Sequence, residues 1–86
     1  MDVCAGGTIS TTTSSITFTN HHPQPCDLGS CTLPGWPIAD PVVPAAQKNG
    51  VAGTLTLQLS PPIPKGDYPY SPDCCDKGTN PEIKVQ

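Results

Sequence analysis

Two adjacent thiols, Cys74 and Cys75, stand in a loop of Ser, Pro, Asp, Lys and Gly between two extended segments near the end of the chain. Sulfur in such a place admits three chemistries: a soft metal held by thiolate, a redox couple, or a covalent staple. Cys4, Cys26, Cys31 and the pair His21-His22 complete the set of residues that could act with them. Thiolate with imidazole suits zinc or copper. Cys26 and Cys31 enclose Asp-Leu-Gly-Ser, a loop short enough for a disulfide that removes about 2 kcal/mol of unfolded-state freedom. The alternative is that these two thiols join His21 and His22 as soft ligands. A bond between Cys74 and Cys75 themselves requires a strained eight-membered ring, so each is expected to pair elsewhere. A bridge from Cys4 to either one closes most of the chain and contributes about 4 kcal/mol. Five cysteines is an odd number, so at least one is free, metal-bound or intermolecular.

In an extended chain His21 and His22 project to opposite sides, so one metal takes only one of them. Asp27, Asp40, Asp67, Asp73 and Asp76 each stand beside Pro, Gly or Cys, where turn formation accounts for an aspartate. No Ser-His-Asp or paired-carboxylate spacing stands out, and an enzyme is not expected.

The elements that must position these groups read as strands. Tyr68 and Tyr70 share one face of an extended segment, and at the chain's end Ile83 and Val85 face opposite to Glu82 and Lys84. Ser15 to Asn20 alternates Ile16 and Phe18 with Thr17 and Thr19, and Thr8 to Thr13 is a weaker extended run. Val51 to Leu59 is the clearest strand, with Leu55, Leu57 and Leu59 toward a core and Thr54, Thr56 and Gln58 away from it. Between His21 and Pro44, six prolines exclude any central strand or helix, because proline lacks the ladder amide and restricts its predecessor. Trp36 is expected to fold this stiff loop back onto the core, and Asp40 to Val43 to add a short edge strand. Ala45 to Asn49 suits one helical turn closed by Gly50, and Ser60 to Gly66 a proline-rich turn. Residues 1–7 read as a flexible N-terminal arm carrying Cys4, and residues 8–86, with short strands, proline-rich turns and no long helix, as a single β-sandwich domain.

With 86 residues, 35% of them hydrophobic, the core is small and extra constraint is expected. Twelve prolines and five cysteines supply it. Net charge is −3 with four lysines and no arginine, so neither nucleic acid nor an anionic membrane is an expected partner. No apolar run is long enough to cross a bilayer as a helix. Five cysteines without a CxxC pattern fit an oxidising, extracytoplasmic compartment, periplasmic or secreted, with Met1 standing in place of a removed export signal.

The order of these pieces resembles the cupredoxin family of small Greek-key β-sandwiches. Ile16-Thr17-Phe18-Thr19-Asn20-His21, Gly53-Thr54-Leu55-Thr56-Leu57, Gly66-Asp67-Tyr68-Pro69-Tyr70 and Ile83-Lys84-Val85 look like four family segments in sequence, spanning nearly the whole chain. The resemblance implies an all-β Greek-key sandwich, cupredoxin-like or immunoglobulin-like, with His21 or His22 as first copper ligand and Cys74 or Cys75 as thiolate. The second histidine and axial methionine of a blue-copper centre have no counterpart after Tyr70. Three functions are therefore expected. The first is an exported, disulfide-stabilised, non-enzymatic structural or binding module. The others are a copper or zinc carrier or electron-transfer protein, and a disulfide-linked subunit of a fibre or surface array joined through Cys4 or an edge strand.

Overall fold

Alternation of β-branched and polar residues produces the longest pairing in the structure, a computed structural model that describes all 86 residues. Strand β2 (Ser15–Asn20) runs antiparallel to β5 (Gly53–Gln58), placing Ile16 opposite Leu57 and Phe18 opposite Leu55. On the outer face Thr17 and Thr56 share a hydroxyl hydrogen bond of 2.9 Å. Inward, Ile16, Phe18 and Leu57 are buried, while Leu55 is half-buried. Gly53, opposite Asn20, is fixed by contact: any Cβ there would run into the Pro44 carbonyl oxygen.

The remaining strands are β1 (Gly7–Ile9), β3 (Cys26–Asp27), β4 (Val42–Val43), β6 (Gly66–Pro69) and β7 (Glu82–Val85). They make two further small sheets, one ordered β1-β7-β6 and one of β3 with β4. In the first, β7 pairs in parallel with β1 and antiparallel with β6. Ile83 and Val85 enter the core, and Lys84 meets Glu82 at 3.6 Å outside it, a surface pair that adds little. One hydrophobic cluster joins residues of all three sheets, among them Phe18, Val43 and Ile83. The architecture is all-β without helix.

Ala45 to Asn49 does not form the expected helical turn. Its amides are committed elsewhere, Ala46 to the His22 carbonyl at 2.8 Å and Gln47 to that of Val51 at 2.8 Å. Only a tight turn remains, closed by the Gly50 amide on Gln47 at 3.0 Å. The proline-rich stretch folds back through Trp36, whose ring meets Phe18 edge-on at 5.9 Å and tilts against Tyr70 at 5.9 Å. Its indole nitrogen donates to the Gly29 carbonyl at 3.0 Å, satisfying the one polar atom the ring brings inward.

Of residues 1–7, read from the sequence as an arm, Met1 to Val3 lie along β2 and Gly6 and Gly7 against β7. Val3 is fully buried, its amide donates to Thr19 at 3.1 Å, and Thr19 returns a bond to Met1 at 2.9 Å. The Tyr70 hydroxyl donates to the Val3 carbonyl at 2.9 Å in a buried setting. Gly6 adopts φ +65° where a Cβ would strike the Glu82 backbone, so only glycine lets the segment pass this close to β7.

Burial, with smaller contributions from Asp2 and Cys31, pushes the Tyr70 pKa up from 10.0 to about 12, against an opposing hydrogen bond from the Gly6 backbone. The folded state therefore holds its phenol proton longer than the unfolded chain does. Below pH 10 both states keep it and stability is unaffected; between 10 and about 12 the unfolded chain ionises first, so stability falls as pH rises. Urea midpoints measured across this window are expected to drop more steeply for the wild type than for Tyr70→Phe, which has no phenol at this position.

Candidate functional site

Three regions remote in sequence bring their sulfur and imidazole groups to one place. Strand β3 turns Cys26 wholly into the core, where Cys74 of the β6–β7 loop bonds to it with Cα atoms 5.1 Å apart. The next residue, Cys75, is bonded to Cys4 of the N-terminal segment, with Cα atoms 5.7 Å apart. The two bridges lie side by side, since the sulfurs of Cys74 and Cys75 are 3.8 Å apart. His22, on the β2–β3 connection, sets its Nε2 3.6 Å from the Cys4 sulfur.

Backbone bonds hold the loop in register. The Asp27 amide donates to the Asp73 carboxylate at 3.0 Å, and the Asp73 amide to the Asp27 carbonyl at 3.0 Å. The Asp27 carboxylate in turn accepts from Gly29 at 2.8 Å, and that of Asp2 from the Cys4 amide at 2.8 Å. Asp2 and Asp27 act as turn acceptors, whereas the Asp73 carboxylate ties two segments remote in sequence rather than closing the turn expected of it.

Asn20 is the residue that sequence reasoning missed. It ends the inward series Ile16, Phe18, Asn20 and is completely buried. Its amide nitrogen donates to the carbonyls of Gln24 at 2.8 Å and Pro44 at 3.1 Å, and its oxygen accepts from the His22 amide at 2.9 Å. A polar residue at an inward strand position was the available signal. Through this side chain the loop after β2 is tied to the segment after β4, and His22 is aimed at the sulfurs.

The short Cys26–Cys31 staple is not formed. Cys26 faces inward toward Cys74, whereas the turn at Gly29, with φ +70°, carries Cys31 away to leave its thiol free and half-exposed near the Tyr68 carbonyl at 3.8 Å. Partial burial pushes the Cys31 thiol above its ordinary 9.0, against hydrogen bonds from the Leu33 and Thr32 backbones. Of the two histidines, only His22 approaches the cysteines; His21 is exposed and lines a separate hollow with Pro23, Ala46 and Gln47. The sulfurs of Cys4, Cys74 and Cys75 all lie within 4.8 Å of one another. Cys26 and Cys31 do not join His21 and His22 as a ligand set.

Searches against protein-family models, curated proteins and solved structures return no match for this chain.

Replacing Asn20 by leucine keeps its bulk but leaves the Gln24 and Pro44 carbonyls and the His22 amide without their partner, each costing about 1–3 kcal/mol if it stays buried. A matching fall in unfolding free energy is expected in urea denaturation. At pH 8 Cys31 is expected to react with iodoacetamide more slowly than free cysteine, because its thiolate fraction is reduced. Quantified alkylation at Cys31 checks this.

Proposed function

We propose that this chain is an extracytoplasmic, non-enzymatic β domain of Greek-key sandwich architecture that serves as a structural or binding module. The observation that carries the proposal is the meeting of both disulfides on Cys74-Cys75. Bridges closing spans of 71 and 48 residues are each worth about 4 kcal/mol when unstrained. A chain with only 17 buried residues gains a large share of its stability from them. That gain is available only where thiols are oxidised, which favours an exported setting. The sandwich reading is supported by inward faces of β2 and β7 contributing to a common core. Cys4 is bonded within its own chain, so covalent linkage into a fibre would pass through Cys31.

The test is the oxidation state of the protein recovered from an oxidising compartment. Directed to a bacterial periplasm and analysed by mass spectrometry with and without reduction, the chain is expected to carry two bridges and one alkylatable thiol, and to resist proteolysis only while unreduced. Five alkylatable thiols in a folded, protease-resistant chain would sink the proposal.

A further inference from the structure

The two bridges meet on neighbouring residues, yet their sulfurs have different surroundings. Cys26 is fully buried, so an attack that expelled its sulfur would leave a thiolate in the core. A charge buried without a partner is costly, which protects the Cys26–Cys74 bridge from exchange. Cys4 and Cys75 are each only half-buried, and the bond between them can be approached from solvent. The Cys4 sulfur has His22 Nε2 3.6 Å away, and of the four bridged sulfurs it alone has an imidazole against it.

We propose that the Cys4–Cys75 bridge is a thiol–disulfide exchange site that oxidises a dithiol, with His22 as proton donor to the leaving sulfur and Cys26–Cys74 as a permanent bridge. One thiolate of the dithiol attacks the Cys75 sulfur and the bond to Cys4 breaks. The electron pair of that bond goes to the Cys4 sulfur, which takes the proton carried at His22 Nε2. Exchange is faster when the leaving sulfur holds its charge at less cost, and a proton donor beside Cys4 supplies that relief. The second sulfur of the dithiol, as thiolate, then attacks the first, and Cys75 leaves and takes a proton from water. The dithiol becomes a disulfide and releases two protons to solvent, Cys4 and Cys75 become thiols, and His22 recovers its proton from solvent. Two electrons pass to the protein.

The site outlasts its own reduction, because other contacts keep the two thiols together. On the Cys4 side, Val3 is fully buried, its amide donates to the Thr19 carbonyl at 3.1 Å, and the Tyr70 hydroxyl donates to its carbonyl at 2.9 Å. The Met1 ammonium adds a bond to the Thr17 carbonyl at 2.7 Å. On the Cys75 side, the Cys26–Cys74 bridge and the hydrogen bonds between Asp27 and Asp73 keep the loop beside β3. His22 is held through its own backbone, by the Asn20 side chain and the Ala46 amide. The couple is therefore reversible. Each chain gives up one disulfide per encounter, as a redox partner does, and needs re-oxidation before the next.

The test uses the whole oxidised chain under native conditions, with dithiothreitol as the dithiol, timed quenching with N-ethylmaleimide and mapping by mass spectrometry. Cys4 and Cys75 are expected to be labelled, together with the already free Cys31, while Cys26–Cys74 stays intact. Glutathione, a monothiol, should stop at a mixed disulfide on Cys75. His22→Ala keeps the backbone bonds of residue 22 and should slow the opening of Cys4–Cys75 about 100-fold, the lower end of what a positioned proton donor contributes. Imidazole in the buffer should restore part of that rate, and His21→Ala should match the wild type. Loss of structure would expose the bridges and speed their reduction, so a slower His22→Ala reports the missing donor. Cys26–Cys74 opening first, glutathione trapped on Cys4, or His22→Ala reduced at the wild-type rate would each overturn the proposal.

Discussion

Adjacent residues cannot readily bond to each other, and the structure turns that restriction into its central tie. Cys74 and Cys75 each reach for a different partner, so one loop is fastened at the same point to the core through Cys26 and to the N-terminal segment through Cys4. A single bridge would close one loop of chain. Two bridges on neighbouring residues also fix the orientation of the loop, because it can no longer swivel about either bond. The placement of Val3 in the core, the approach of Gly6 to β7 and the bond from Tyr70 to the Val3 carbonyl all lie close to this tie in the chain.

Sulfur and aromatic packing divide the labour across the core. The cluster of Phe18, Trp36 and Tyr70, with centroids 5.6 to 5.9 Å apart, closes one part of it and draws the proline-rich stretch inward. Edge-to-face contact suits rings whose faces are negative and edges positive. Trp36 does the work that a strand would do elsewhere: it covers the core without asking the prolines for ladder hydrogen bonds they cannot supply.

Much of this could be read before any coordinates. Period-two alternation identifies β2, β5 and β7 because in each the inward side chains face a common core, so the pattern is a direct record of burial. Trp36 was legible for a similar reason, being the one large apolar group in a stretch that no other force would fold. The cysteine pairing was not legible, since it depends on where loops meet after the strands have paired. Proximity in sequence favoured Cys26 with Cys31; the inward face of β3 and the turn at Gly29 separate them. Asn20 was hidden differently: its residue type suggested a strand end, and its role comes from carbonyls on two other segments. The turn at Ala45–Asn49 shows the same limit, because its helical propensity loses to acceptors at His22 and Val51 that composition does not reveal.

The parallel partnership of β1 with β7 sets an order in time. A ribosome delivers Gly7–Ile9 early and Glu82–Val85 late, so β1 has no neighbour to accept its hydrogen bonds for nearly all of synthesis. The same holds for Cys4, whose partner is residue 75. Contacts this distant in sequence are slow to close, and until they do the N-terminal segment stays without its partners. Late closure of this kind leaves the domain pliable until its last strand docks, and the bridge between Cys4 and Cys75 then locks the first residues of the chain to the last.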